Sequence, residues 1–138
     1  MSTVYITRQV HFSAAHRLRN PDRSEEWNEE VFGRCASEAY HGHDYVVEVT
    51  LAGEPDPETG LVYDLRDLKA LMKERIVEPC DHKNLNEDVP FLADRIPSTE
   101  NVAIAFWNEI ESELPDDLLH AVTVYETPRN VVEYRGES

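Results

Sequence analysis

Two histidines separated by a single glycine, His41 and His43, begin a run rich in β-branched and aromatic residues, which predicts a β-strand. Side chains alternate between the two faces of a strand, so both imidazoles point the same way. A third histidine, His16, ends an earlier strand-like run on the face that carries its apolar residues. If the two strands pair, three neutral imidazoles meet without a fourth protein ligand, which is the arrangement of a catalytic zinc site with an open position.

Each of these histidines also has a plainer interpretation. Taken singly, the pair are ordinary turn or strand residues, and His16 is a hydrogen-bonded histidine of the core. The combination of the pair, the third histidine on an inner face and the nearby thiol of Cys35 favours a metal site. His11 falls on the opposite strand face and His120 lies beside an acidic turn, so we interpret both as surface or structural residues.

The elements that must position these residues follow from hydrophobic periodicity and from capping residues. Asp64 predicts the start of one amphipathic helix, which should end before Pro79, and Ser98 or Thr99 predicts the start of another. The segment 17–34 has no strong period and is expected to be an irregular loop beside the metal site. In chain order the patterns are strands 4–16 and 41–51, helices 65–76 and 99–114, and strands 119–126 and 130–135.

This order predicts an α+β fold in which two helices cover one face of an antiparallel sheet. At 138 residues the chain is expected to form a single domain, 1–138. No run of about 18 apolar residues and no export signal is present, so a cytoplasmic protein with two reduced cysteines and no membrane contact is expected. The formal net charge of −15 argues against a nucleic-acid partner. Acid excess with only three lysines would also suit a salt-rich cytoplasm, although ordinary acidic proteins look similar.

Six motifs, in order along nearly the whole chain, resemble the superfamily of 6-pyruvoyl-tetrahydropterin and 6-carboxytetrahydropterin synthases. They are Phe12–His16, Cys35 with His41–His43, Gly60–Leu65, Asp81–Asn86, Pro97–Val102 and Tyr125–Thr127. The resemblance implies a tunnelling fold, with a four-stranded antiparallel sheet, two helices on its outer face and the order ββααββ. It also implies a homo-hexamer, built as a dimer of trimers, with active sites at subunit interfaces.

The resemblance assigns roles to seven residues. The zinc ligands would be His16, His41 and His43, the catalytic residues Cys35, Asp81 and His82, and the pterin-binding residue Glu126. Thr99 and Glu100, at the start of the predicted helix, are secondary candidates for substrate binding. The implied substrate is 7,8-dihydroneopterin triphosphate. Without the resemblance, Cys35 would be interpreted as a small buried residue, Asp81 and His82 as a loop cap, and Glu126 as a solvated strand end.

The implied reaction makes sense of these residue types, because it removes a carbon-bound proton and expels triphosphate. Zn²⁺ with an open position stabilises the developing oxyanion. A thiolate near the metal suits Cys35 as the base, and Asp81 can orient His82 as a second base. Glu126 can accept from two adjacent N–H donors of the pterin ring. For the triphosphate, the candidates are Arg17, Arg19, Arg23 and Lys83.

Five residues between Cys35 and His41 resemble the spacing of the pyruvoyl-forming enzymes, which favours 6-pyruvoyl-tetrahydropterin as the product. Three alternatives to this function remain open from the sequence. The first is a 6-carboxytetrahydropterin synthase of the queuosine pathway, which releases acetaldehyde. A non-enzymatic, zinc-stabilised pterin-binding protein would not need Cys35, and a generic zinc hydrolase could use Glu38 as its base. The segment Thr127–Asn130 departs from the best-known family members and could alter the rim of the pterin pocket.

Overall fold

The two histidine-bearing segments form the longest strands of the computed structural model, which describes residues 2–37 and 39–137. Strand β1 (Val4–His16) and strand β2 (His41–Gly53) are both 13 residues long. They pair antiparallel without interruption, from Val4 opposite Gly53 to His16 opposite His41. Side chains alternate between the two faces along each strand. The pairing therefore determines which side chains meet at the end of the sheet where His16 lies opposite His41.

The sheet has five strands in the order β3-β1-β2-β4-β5, which confirms the α+β class but not the predicted number of four strands. Strand β4 (Leu119–Thr127) pairs antiparallel with β2, and β5 (Asn130–Tyr134) pairs with β4. The additional strand, β3 (Lys83–Asn84), has two residues and runs parallel to β1. Its polar composition predicts a loop, and only the contact with β1 makes it a strand.

The two predicted helices begin where their caps indicate. Asp64 accepts from the N–H of Arg66 at the start of α2 (Leu65–Met72), and Ser98 accepts from the N–H of Asn101 at the start of α4 (Thr99–Glu111). The chain continues from α2 through a π-helical turn, Lys73–Val77, into the single turn α3 (Glu78–Cys80). The predicted end before Pro79 was therefore wrong: this proline lies in the first turn of α3, where it is tolerated.

A short helix, α1 (Glu25–Phe32), lies in the segment that was predicted to be irregular. None of its apolar side chains, Trp27, Val31 and Phe32, is fully buried, so its stability has another source. Asn28 is fully buried, and its amide accepts from the N–H of Asn20 and donates to the carbonyls of Asn20, Arg23 and Ser24. The helix is thus held by a polar network that hydrophobic periodicity does not detect.

The core lies between one face of the sheet and helices α2 and α4. The buried residues include Phe12, Val47, Val49 and Leu51 from the sheet and Leu68, Met72, Phe106 and Ile110 from the helices. The opposite face is polar and carries cross-strand hydrogen bonds, such as Thr7 to Thr50 and Gln9 to Glu48. Within the described ranges, no helix is long and apolar enough to cross a membrane.

The cap of α4 gives a prediction about stability. Replacing Ser98 by Ala leaves the N–H of Asn101 without its acceptor, so the free energy of unfolding is expected to fall by about 1 kcal/mol. Ser112→Ala is the matched control, because that exposed hydroxyl only donates to the carbonyl of Glu109 at the other helix end. Denaturation at one fixed protein concentration compares the two variants. Equal stabilities would contradict the role of the cap.

Candidate metal centre

Pairing of β1 with β2 brings three imidazoles to one end of the sheet. His16 lies directly opposite His41, and His43 lies opposite Ala14, two residues further along on the same face. The ring centroids are 4.5 Å apart for His16 and His41, 5.2 Å for His16 and His43, and 4.9 Å for His41 and His43. One nitrogen from each ring lies within 4.8 Å of the other two. A single ion can therefore contact all three residues.

The hydrogen bonds of His16 decide which nitrogen faces the cluster. Its Nδ1–H donates to the carbonyl of Pro97 at 2.8 Å, which leaves Nε2 as the nitrogen with a free lone pair. Among the described residues, the buried Nε2 atoms of His16 and His43 have no hydrogen-bond partner. Buried polar atoms are rarely left unpaired. A backbone carbonyl that orients a histidine is the usual support of a metal ligand, so this donor set fits a metal ion.

The environment also favours neutral, metal-binding imidazoles. Burial lowers the pKa of His16, which is 1% exposed, and the neighbouring His41 and His43 lower it further. Burial lowers the pKa of His41 as well, with a second contribution from His43. The backbone carbonyl of Pro97 and the carboxylate of Glu126 oppose these effects without cancelling them. A deprotonated imidazole is the form that binds a metal.

A carboxylate lies at the edge of the histidine cluster. Glu126, near the end of β4, accepts from the hydroxyl of Thr99 at 2.5 Å through Oε2, while its Oε1 lies 3.5 Å from Nε2 of His43. Thr99 is buried and is the first residue of α4, directly after the Ser98 cap. Glu100 is exposed, and no hydrogen bond joins it to Glu126 in the described part of the chain. The structure therefore brings Thr99 to Glu126 but leaves Glu100 outside this group.

The Asp81 and His82 side chains form a second group. Nδ1 of His82 lies 3.1 Å from Oδ1 of Asp81, and the same Oδ1 accepts from the N–H of Ser13 at 3.0 Å. That N–H is the main cause of the lowered pKa of Asp81, so this carboxyl is ionised near neutral pH. The side chain of His82 is 84% exposed and lines a groove of about 590 Å³ together with His43. The backbone of His82 is left-handed, with a φ of 60°. Left-handed residues other than glycine cluster at functional sites.

Cys35 lies in the 3₁₀ turn Gly33–Ala36 and is half-buried. The cluster of ligand atoms found among the described residues contains the three histidines and does not contain its thiol. The backbone of the turn is nevertheless tied to the end of β1, because the N–H of Leu18 donates to the carbonyl of Cys35 at 2.6 Å. Glu38, the candidate base of the hydrolase alternative, lies outside the described residues.

Two supporting residues of the cluster were missed from the sequence. The Pro97 carbonyl orients His16, and no sequence signal identifies a particular carbonyl for this task. Tyr45 is fully buried, with its ring centroid 6.0 Å from that of His16 and 5.7 Å from that of His43. Its position two residues after His43 on the same strand face could have indicated it.

Comparison with known proteins identifies close relatives. The family model described as 6-pyruvoyl tetrahydropterin synthase matches residues 5–137. The 6-pyruvoyl tetrahydrobiopterin synthase of Homo sapiens is 48% identical over 132 residues, which are 96% of this chain and 91% of the human protein. The protein of the same name from Dictyostelium discoideum is 39% identical over 98% of each chain. The solved structure of Caenorhabditis elegans 6-pyruvoyl tetrahydropterin synthase has a TM-score of 0.93 at 41% identity, covering 99% of this chain and 98% of that one.

Proposed function

The chain belongs to the 6-pyruvoyl tetrahydropterin synthase family of enzymes, and from this premise we propose that it is a zinc-dependent lyase acting on 7,8-dihydroneopterin triphosphate. In this proposal it eliminates triphosphate and forms 6-pyruvoyl-tetrahydropterin. The names of its relatives, at 39–48% identity over almost the whole chain, support the pyruvoyl product. The observation that carries the proposal is the cluster of three imidazoles beside the Glu126 carboxylate, in which the buried Nε2 atoms of His16 and His43 have no hydrogen-bond partner among the described residues.

His16, His41 and His43 would hold the metal, through the nitrogens that lie within 4.8 Å of one another. A bound Zn²⁺ supplies Lewis acidity to the hydroxyls of the substrate side chain. The donor set of three imidazoles is typical of zinc sites that keep one position open for water or substrate. The lowered pKa values of His16 and His41 support this role, because fewer protons must leave when the ion binds.

The other residues of the site would bind the pterin and move protons. The Glu126 carboxylate accepts from the amino-pyrimidine edge of the ring, with Thr99 holding one of its oxygens, and Glu100 is a further candidate for ring binding. Cys35 removes the carbon-bound proton as the carbon–oxygen bond to triphosphate breaks. His82, oriented by the ionised Asp81, returns a proton to carbon during the tautomerisation that completes the product.

Product analysis tests this proposal. Purified, zinc-loaded protein is mixed with 7,8-dihydroneopterin triphosphate, and triphosphate, pterin products and acetaldehyde are measured over time. Triphosphate release in step with 6-pyruvoyl-tetrahydropterin is the expected result. Acetaldehyde in step with triphosphate would instead identify a 6-carboxytetrahydropterin synthase. Pterin binding without triphosphate release would favour the zinc-stabilised binding protein, which has no use for Cys35.

The assembly is part of the same proposal. The outer edge of β1 pairs with β3 only at Ala14 and Ala15, so most of that long edge is open in the described chain. Strand β5 is the other edge of the sheet. Open edges are sites where another chain can add a strand, which is consistent with a homo-hexamer of two trimers. Sedimentation equilibrium tests for six chains of 15.9 kDa.

The location of the protein in the cytoplasm also belongs to the proposal. Cys35 and Cys80 are both free thiols, which fits a reducing compartment.

Glu126 gives the prediction for substrate binding. Glu126→Gln keeps the shape of the side chain but removes the charge from its hydrogen bonds to the pterin, so binding is expected to weaken by about 1.5–3 kcal/mol. Zinc content should not change. Glu133→Gln is the matched control, because this carboxylate of β5 pairs with Arg135 and is 44% exposed. Calorimetry with a pterin lacking the triphosphate measures the difference. An unaltered binding constant for Glu126→Gln would show that Glu126 does not bind the pterin and is a solvated residue at the end of its strand.

A further inference from the structure

The turn that carries Cys35 is held against the end of β1 by residues to which the proposed mechanism gives no part. The N–H of Leu18 donates to the carbonyl of Cys35 at 2.6 Å, and Nη2 of Arg17 donates to the carbonyl of Ala36 at 2.7 Å. Two consecutive carbonyls of the turn are thus bonded to two consecutive residues that follow β1. The position of the thiol therefore depends on the position of Arg17.

The backbone of Arg17 is in turn fixed by Asn86, from the loop that follows the Asp81 and His82 pair. Oδ1 of Asn86 accepts from the N–H of Arg17 at 2.8 Å, and Nδ2 of Asn86 donates to the carbonyl of Arg17 at 2.9 Å. The N–H of Asn86 itself donates to Oδ1 of Asn84 in β3 at 2.9 Å. The amide of Asn86 thus continues the backbone pairing of β1 beyond the last residue of that strand.

The guanidinium of Arg17 has little freedom to point elsewhere. Its carbon lies 5.8 Å from the centre of the Tyr40 ring, and the Tyr40 hydroxyl donates to Glu87 at 2.9 Å. A guanidinium at this distance from an aromatic ring is attracted to its face. The head group is therefore held between this ring and the carbonyl of Ala36, which contrasts with the expectation that Arg17 could contact triphosphate.

We propose that Arg17 and Asn86 are positioning residues that hold the Cys35 turn in a fixed place relative to the histidine-bearing end of β1 and the Asp81–His82 loop. This pair, which we call the Arg17–Asn86 clamp, joins all three segments within one chain. The inference rests on the proposed function, because it assumes that Cys35 transfers a proton. A displacement of about 1 Å of such a group can cost about a hundredfold in rate.

The reactivity of the Cys35 thiol tests the clamp without using turnover. Zinc-loaded wild type, Arg17→Gln and Asn86→Ala are treated with iodoacetamide at one pH, and labelling of each cysteine is followed by peptide mass spectrometry. Arg17→Gln removes the hydrogen bond to Ala36, and Asn86→Ala removes the two hydrogen bonds that fix the backbone of Arg17. Either loss loosens the turn, so Cys35 is expected to react about fivefold faster in both variants. Cys80 is the internal reference, because it is fully buried and burial raises its pKa to about 12.

The matched control is Arg34→Gln. This exposed arginine lies next to Cys35 in the same turn, so its replacement removes the same charge without removing a side-chain bond to Ala36. Labelling of Cys35 in this variant should match the wild type. Equal acceleration by Arg34→Gln would overturn the proposal, because the effect would then come from charge near the thiol. Unchanged labelling of both clamp variants would overturn it too.

Kinetics supply the second readout. The clamp variants should lose about tenfold to a hundredfold in kcat while KM stays within about twofold, because the reacting group is misplaced and the pterin contacts are intact. Asn86→Asp keeps the acceptor for the N–H of Arg17 but loses the donor to its carbonyl, so it should recover only part of the kcat lost in Asn86→Ala. Lost zinc or faster labelling of Cys80 would contradict the proposal, because the clamp would then support the metal site or the whole fold. Full turnover by a Cys35→Ala variant would contradict the proposed function alone, and the labelling result would still decide the clamp.

Discussion

Replacing Cys35 by Ala is expected to slow triphosphate elimination by at least about a hundredfold, the lower range for loss of a group that transfers a proton in the transition state. Zinc and pterin binding should remain near normal, because the thiol is not among the ligand atoms that meet at the histidine cluster of the described chain. The measurements are single-turnover release of triphosphate, zinc content per chain and the binding constant for a pterin. Loss of rate with both kinds of binding retained would identify a group that acts only in the chemical step.

Cys80→Ala is the control for this experiment. Cys80 is buried in the core, so its replacement removes a thiol with some cost to stability but without an effect on the elimination step. A Cys35→Ala variant that turned over at the wild-type rate would remove Cys35 from the mechanism. The base would then have to be His82, or Glu38 as in the hydrolase alternative.

Replacing His43 by Ala is expected to abolish stoichiometric zinc and, with it, triphosphate elimination. Three ligands leave no redundancy, and two imidazoles hold the ion much more weakly. His41→Ala should behave in the same way, because its ring lies 4.9 Å from that of His43 and 4.5 Å from that of His16. Zinc per chain is measured in dialysed protein, and circular dichroism verifies that each variant is folded.

His120→Ala is the matched control for the zinc experiment. Its ring packs against Tyr5 at 4.7 Å and takes no part in the histidine cluster, so this variant should keep its full zinc. Full zinc in the His43 or His41 variant would contradict the assignment of the site. The Nε2 atoms of His16 and His43 would then need another explanation for their lack of hydrogen-bond partners.

Much of the frame of this site follows from local sequence patterns. The alternation along β1 and β2 predicts that His16, His41 and His43 lie on the core-facing side of the sheet, and the pairing of these strands determines that they meet. The capping residues Asp64 and Ser98 predict the starts of α2 and α4. The alternation and the caps depend on neighbours close in sequence, so they can be read without knowledge of the tertiary structure, whereas the pairing of β1 with β2 is seen only in the fold.

The features that were missed depend on contacts between distant parts of the chain. Strand β3 exists because the N–H of Leu85 donates to the carbonyl of Ala15 at 2.8 Å and that of His82 donates to the carbonyl of Ser13 at 2.6 Å. Helix α1 depends on the buried amide of Asn28 rather than on a buried apolar face. Local composition can predict neither, because tertiary contacts override intrinsic preference in both cases.

The roles of single residues are still less accessible from local patterns. The family resemblance nominates Glu126, Thr99 is a secondary candidate at the predicted helix start, and the structure adds the 2.5 Å hydrogen bond between them. The connection between Arg17, Asn86 and the Cys35 turn spans distant positions in the chain, and it emerges only from the hydrogen bonds. A short motif specifies which residues are present, whereas the geometry specifies which of them act on one another.

The central claim is that zinc held by the three histidines is required for elimination of triphosphate, and a titration of metal-free protein tests it most directly. Chelator-treated protein is titrated with Zn²⁺ while triphosphate release from 7,8-dihydroneopterin triphosphate is measured. The account predicts no turnover without metal and a linear rise in rate that ends at one zinc per chain. Full turnover by the zinc-free protein, or by a His43→Ala variant that binds no zinc, would contradict it.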